Sequence, residues 1–214
     1  MRLSIIITMY NCCDNVALTL GKLSGQIERS GEKGIEVIVI DDGSQEDASG
    51  IKAICEAHPD TLRYIYQENG GEASARNTGM HSVKGEYFTY VDGDDSVTDD
   101  YLTNILEYVG KGFDMVAFKW RFIDGTIGIW HEPPLLNWNV WSWLFKTDSM
   151  SNIDFDENMI VASDYDWLAR SVHDGLKIAH SEKVNNIYWA ENPNNLTNRF
   201  ARGEVAALKS DSEL

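Results

Sequence analysis

Cysteine is scarce in this chain, with three in 214 residues. Cys12 and Cys13 are adjacent and Cys55 stands alone. That pattern gives neither an even disulfide framework nor a metal-ligand spacing, and it suits a reducing compartment. Long apolar runs are missing too. Nothing approaches the roughly 18 residues of a membrane span, and Ile5-Ile6-Ile7 behind Arg2 is too short for a secretory signal. A cytoplasmic protein is the expectation, with peripheral docking to a membrane through partners left open. Basic residues are few: 18 Lys and Arg stand against 34 Asp and Glu, a formal net charge of −16. An average surface of that sign repels phosphate backbones and anionic lipid, so broad nucleic-acid binding is disfavoured, although a local basic groove is compatible with it. Internal repeats and low-complexity segments are absent. So are the Gly-x-Gly-x-x-Gly turn of nicotinamide dehydrogenases and the Gly-rich, Arg-bearing loop that a nucleotidyltransferase carries after its first strand.

What is present is 43% hydrophobic residues, enough for one domain with a sizeable core. In the first half, β-branched runs over 3–9, 35–40, 62–66 and 86–91 read as strands separated by amphipathic stretches. Val16, Leu20, Leu23 and Ile27 share one helical face, which Gly21 and Gly25 weaken; Ile51, Ile54 and Cys55 suggest a second helix opened by Ser44. A third helix should cover 73–83, and Thr98 can cap a fourth that buries Leu102, Ile105, Leu106 and Val109 and stops at Gly110 or Gly112. Repeated strand–helix–strand units imply an α/β fold with a mainly parallel central sheet and helices on both faces, and ligands then bind beyond the carboxyl ends of the strands. The second half is mixed. Residues 114–122 and 126–130 form a hairpin around Asp124-Gly125, Pro133-Pro134 and an aromatic stretch over 138–145 follow, and Ser163 caps a helix reaching His173. Strands at 176–180 and 186–189 complete it. The expected division is 1–112 and 113–214, two halves of a single domain.

The stretch "YVDGDDSVTDD", residues 90–100, places five aspartates directly after a strand. Asp99 and Asp100 suit the first turn of a helix and need no further task. Asp92 and Asp94 sit at the strand end around Gly93, where both can face one ligand. Carboxylates so close resist ionising together unless a cation compensates, and oxygen-only ligation suits Mg2+ or Mn2+ shared with substrate phosphates. An EF-hand is excluded by Val97 and Thr103, which stand where its glycine and glutamate belong. A second acidic turn, Asp41-Asp42-Gly43-Ser44, ends another strand, and one of its aspartates can accept hydrogen bonds from a base or ribose. In "NGGEASARNTGM", residues 69–80, glycines loosen a strand-to-helix connection around Arg76 and Asn77. That arginine serves either a ligand or a surface ion pair.

Taken in order, "SIIITMYN", "IEVIVIDDGSQED" and "NGGEASARNTGMHSVKGEYFTYVDGDD" resemble the inverting, nucleotide-sugar-dependent glycosyltransferases of family 2, which have the GT-A fold. The resemblance is strong over residues 3 to about 110 and looser through "VWSWLFKTDSM" and "FDENMIVASDYDWLARSVHDGLKI", and it leaves the last thirty or so residues unmatched. It implies that Asp42 or Asp41, Arg76 and the backbone around Thr8 to Tyr10 contact the nucleotide base, and that Asp92 lies near the ribose. Asp94 would hold Mn2+ or Mg2+ on the diphosphate, with Asp92 and Asp95 as further carboxylates, and Asp164 would be the base. Residues alone leave Asp164 equally a helix N-terminal carboxylate; the resemblance favours the base. Three departures stand out. Ser163 precedes Asp164 where relatives often have Glu, Thr8 replaces a usual Pro, and the region of a late metal-ligating His offers Glu191 and Asn192.

The implied activity is transfer from a nucleotide sugar, UDP-linked by default, to a hydroxyl of a glycan, a lipid-linked glycan, a protein or a modified nucleobase. The absence of an added polymerising segment favours single transfers, and self-association is left open. Trp138, Trp141, Trp143 and Phe145 could offer sugar platforms, with core packing expected for at least two; His131, His173 and His180 show no ligand spacing. Two readings compete. Asp-x-Asp phosphatases and phosphotransferases carry their motif on the first strand rather than the fourth, and a sugar-nucleotide or glycan binding module would keep the fold without turnover.

Overall fold

The computed structural model describes residues 1–128, 138–193 and 195–207. Pro133, Pro134, His131 and the far part of the expected second hairpin strand lie outside them. Strand β1 (Leu3–Met9), helix α1 (Cys13–Ser30), β2 (Ile35–Asp42), α2 (Ser49–Ala57), β3 (Leu62–Gln67), α3 (Glu72–Ser82) and β4 (Tyr87–Asp92) alternate as the sequence predicts. All four strands are parallel, in the order β3-β2-β1-β4. Their near-continuous apolar runs are explained by burial on both faces. Ile5, Ile7, Val37 and Val39 point to one side, against Val16, Leu20 and Leu23 of α1 and Ile51 and Cys55 of α2. Ile6, Ile38 and Ile40 point to the other, against Ala73, Ala75 and Met80 of α3.

The remaining chain extends the sheet with mixed pairing. Elements β5 (Ser96–Val97), α4 (Tyr101–Leu106), β6 (Met115–Phe122) and β7 (Ile127–Gly128) are followed by a single 3-10 turn at Val140–Ser142. Then come β8 (Trp143–Lys146), α5 (Thr147–Met150), α6 (Ser163–Ser171), β9 (Ile178–Tyr188) and α7 (Leu196–Ala201). Strand β8 lies antiparallel between β4 and β6, and β6 pairs in parallel with β9. The β6–β7 hairpin turns at Gly125, whose φ of +90° favours glycine. Trp143, Phe145, Trp167 of α6 and Phe155 complete the second core, so Trp143 and Phe145 are packing residues. No helix among the described residues is long and apolar enough to cross a membrane.

Four local expectations are corrected, the first two because a tertiary partner takes the group that the local rule needed. Helix α2 begins at Ser49; Ser44 instead accepts a hydrogen bond from Asn11 N (3.0 Å) and donates its own N–H to Asp41 (2.8 Å). Helix α4 begins at Tyr101, because Thr98 bonds Val184 and Asn185 on β9 (3.1 and 2.8 Å). Ser163 is the first residue of α6, after Ala162 at φ +65°, and the helix stops at Ser171. The two late strands are one, β9, with a register irregularity opposite Ala117 to Trp120.

Two helix glycines give opposite predictions. A Cβ at Gly79 of α3 would stand 2.4 Å from Ile6 Cγ2, whereas one at Gly21 of α1 would meet nothing within 4 Å. Gly79→Ala should cost about 1–3 kcal/mol through overpacking, and Gly21→Ala should gain about 0.4–1 kcal/mol. Urea denaturation of the two variants checks both signs.

Candidate active site

The carboxyl ends of β1, β2 and β4 open into a cleft of about 940 Å3, whose far wall comes from α6 and the ends of β6 and β9. After β1, Asn11 takes a left-handed φ of +51°, and its side chain accepts the N–H groups of Gln45 (2.7 Å) and Glu46 (3.4 Å). This locks the first loop to the one after β2. Thr8 and Tyr10 both line the cleft, Tyr10 exposed, and the Thr8 carbonyl accepts Gly93 N–H at 2.9 Å. Gly93 is enclosed: a Cβ there would lie 2.7 Å from that carbonyl and 2.8 Å from Cys12 Sγ. Only glycine fits where the acidic turn crosses the first loop.

Asp41 and Asp42 are successive strand residues and so point to opposite faces. Asp42 lines the cleft, where it accepts Gln67 Nε2 (2.7 Å) and the N–H groups of Gly70 and Gly71 (both 2.9 Å). Burial raises its pKa, and those hydrogen bonds oppose the rise. Asp41 is buried outside the cleft lining, bound to Ser44 N–H and the Tyr64 hydroxyl.

Gly71, at φ +92°, turns the chain into α3, and one turn later Arg76 points into the protein with 1% of its side chain exposed. Its guanidinium meets three carboxylates: Glu72 at 2.5 Å, Asp92 at 3.1 Å, and Asp164. The Phe155 ring lies 5.8 Å beneath it. Burial works against the cation, but Asp164, Glu72 and Asp92 outweigh that and hold its pKa above the usual range. Three carboxylates around one guanidinium carry more negative charge than it balances. Burial raises Asp164 to about 6, helped by Asp92 and opposed by Arg76 and by the Val140 N–H at 3.0 Å. Burial likewise raises Glu72 to about 8, with Asp164, Asp92 and Asp94 adding to it. The surplus thus favours holding a proton on Glu72 and Asp164, with the Arg76 cation opposing it.

Asp94 lines the same cleft. Its Oδ2 accepts Asn192 Nδ2 at 2.8 Å, and burial followed by Asp92 raises its pKa. Asp95 faces elsewhere: Oδ1 accepts Trp189 N–H at 3.0 Å, while the buried Oδ2 has no hydrogen-bond partner. It borders a smaller recess on the reverse of the turn. Among the described residues no three His, Cys, Asp or Glu side chains are grouped to hold a metal. The oxygen donors present fit a hard divalent cation nonetheless. Asp94 has no ion-pair partner among the described residues, the neighbouring Asp92 disfavours its charge, and a bound phosphate would supply the missing ligands.

Of the aromatic candidates, Trp138 and Trp141 line the cleft, and Trp138 lies against Tyr165 with ring centroids 4.1 Å apart. Sequence reasoning passed over Glu72, although its spacing of four from Arg76 on a helix is a readable ion-pair signal. It also passed over Tyr188, Trp189 and Arg199, which reach the cleft only through the fold.

The raised carboxyls predict a pH dependence. Glu72 binds its proton more tightly folded than unfolded, so its contribution to stability is full below its unfolded pKa near 4.3 and is lost as pH rises through about 8. Glu72→Gln should therefore melt higher than the parent at pH 9 and no higher at pH 4, as thermal denaturation across that range would register.

A family model described as Glycosyl transferase family 2 matches residues 4–176. The uncharacterized glycosyltransferase EpsJ of Bacillus subtilis is 28% identical over 221 residues, covering 91% of this chain and 62% of that protein. Glycosyltransferase GlyA of Streptococcus pneumoniae is 32% identical over 164 residues, 71% of this chain and 23% of its own. The chain thus spans less than two thirds of the length of either relative. Among solved structures, S. aureus TarS 1-349 in complex with UDP-GlcNAc superposes with a TM-score of 0.77 at 21% identity, over 92% of this chain and 61% of that one. Mannosyltransferase PcManGT from Pyrobaculum calidifontis, solved with GDP-Man and Mn2+, gives 0.69 at 18% identity, over 97% and 66%. The fold is therefore the GT-A architecture of glycosyltransferases such as TarS. With the family model matching most of its length, the chain belongs to glycosyl transferase family 2.

Proposed function

We propose that the chain transfers a sugar from a nucleotide-sugar donor to an acceptor hydroxyl, with inversion at the anomeric carbon and Asp164 as the base. The observation that carries this reading is that one buried guanidinium bonds both Asp92, at the tip of β4, and Asp164, at the start of α6. The donor-side acid turn and a basic carboxylate therefore share one cleft. Residues 1–112 would supply the donor side and 113–214 the acceptor side. The TarS complex with UDP-GlcNAc supports a uridine donor as the default.

Asp164 is suited to the task. Its Oδ1 faces Arg76 and its Oδ2 accepts Val140 N–H, so each oxygen keeps a lone pair for an acceptor hydroxyl. A carboxyl raised to about 6 is ionised at neutral pH yet basic enough to take a proton in the transition state. As the acceptor oxygen bonds to the anomeric carbon, its proton passes to Asp164. The bond from that carbon to the diphosphate oxygen breaks on the opposite side, and the electron pair leaves with the nucleoside diphosphate. Asp94 with Asp92 would hold Mn2+ or Mg2+, a metal use that the Mn2+ complex of PcManGT supports. When bound, such a cation stabilises negative charge on the departing diphosphate. Asp42 and the backbone of Thr8 to Tyr10 would border the base and Asp92 the ribose. Arg76 enters this scheme by orienting Asp164 and Asp92 rather than through a ligand.

Incubation with UDP-sugars, Mn2+ and acceptor glycans, read as released UDP, tests the reading. Asp164→Asn should lower transfer by about 10²–10⁴-fold while donor binding persists. Asp94→Ala should weaken the Mn2+-dependent part of donor binding. Donor binding without release of UDP to any acceptor would instead mark a binding module.

A further inference from the structure

The two halves of the chain line the cleft with different chemistry. Among the described residues, those of 1–112 bring six carboxylates to it, with Arg76 as their one cation and Tyr10 as their one aromatic ring. Those of 113–214 bring seven aromatic residues but only two charged ones, Asp164 and Arg199. Asp164 is therefore set in a wall of rings that carries almost no charge.

The rings of that wall differ in what they are free to do. Trp141 packs between Trp120 and Tyr188, with centroids 5.6 and 5.5 Å away, and these three hold one another. Trp138 and Tyr165 are 36% and 50% exposed and lie against each other at 4.1 Å. Both flank Asp164. Tyr165 follows it on α6, and Trp138 stands two residues before Val140, whose N–H binds Asp164 Oδ2 at 3.0 Å. Large rings left half in water beside a reactive group mark a ligand surface, and their flat faces suit the C–H face of a pyranose. Asn139 and Thr197 line the same half with uncharged hydrogen-bonding groups.

Charge then narrows the ligand. An acceptor bearing phosphate needs a cation here, and the one this wall offers, Arg199, faces Glu204 at 3.7 Å. The carboxylates across the cleft would repel such an acceptor further. A peptide would bring backbone donors and acceptors, for which ring faces are poor partners.

We propose that the acceptor is an uncharged glycan, whose terminal pyranose stacks on Trp138 and Tyr165 and so brings its hydroxyl to Asp164, and that acceptors carrying phosphate are disfavoured. This inference rests on the transferase reading of the site, and binding tests it separately from turnover. Saturation-transfer NMR would compare neutral cello-, chito-, manno- and galacto-oligosaccharides, the corresponding sugar phosphates, and a peptide rich in Ser and Thr. A neutral glycan should bind, and its phosphate about tenfold more weakly. Trp138→Ala and Tyr165→Ala should each weaken glycan binding about tenfold and leave titration with UDP and Mn2+ unchanged. In the UDP-release assay both variants should raise KM for the glycan more than they lower kcat. Tyr66→Ala, which removes an exposed ring outside the cleft lining, should alter none of these. The inference is overturned if no neutral glycan binds, if a sugar phosphate or the peptide binds as tightly, or if loss of both rings leaves glycan binding unchanged. If a glycan binds through these rings but no nucleotide sugar yields its diphosphate, the transferase reading fails and the glycan site stands.

Discussion

The cleft is organised around one buried cation. Arg76 brings together α3, the tip of β4 and the start of α6 through Glu72, Asp92 and Asp164. Removing a guanidinium from water costs several kcal/mol, and only well-placed partners offset it. Here the partners exceed the cation's charge, and burial together with that surplus raises the pKa values of Glu72 and Asp164. The arrangement contributes less to stability than its three ion pairs suggest. Its effect is specificity: it fixes where Asp92 and Asp164 stand relative to each other, across a gap that no backbone hydrogen-bond ladder spans.

The sheet makes that arrangement attainable. Parallel strands β1, β2 and β4 end on one side, so their following loops converge without long excursions. Strand β8 then runs antiparallel beside β4, leading the chain back so that α6 packs Trp167 against Phe145 and Phe155. Asp164, three residues before that tryptophan, is carried to the cleft by this aromatic anchor. Core packing and site geometry are thus one constraint on α6.

The parallel half was legible because its signals are local. β-branched runs and helical faces need no distant partner to be read, whereas α4 ends at Leu106, short of the expected stop at Gly110 or Gly112. Ser44 and Thr98 misled for the opposite reason, since each satisfies a group on a different element and leaves its nearby helix to start without it. The site divides the same way. Asp42, Asp92, Asp94 and Asp164 line the cleft, as their positions at strand and helix ends suggested, whereas alternation along β2 and the turn after β4 carry Asp41 and Asp95 out of it. Arg76 was visible as a cation near a ligand site. Its three acids come from separate elements, and only Glu72 lay within reach of a spacing rule.

Asp94 and Asp95 do more than present charge. Asn192 and the Trp189 backbone are fastened to them, one to each. A ligand that captures Asp94 Oδ2 competes with the Asn192 amide for that oxygen, while the Trp189 N–H keeps its own bond to Asp95. Occupancy at the tip of β4 and the placement of the cleft's rim therefore meet at one carboxylate oxygen.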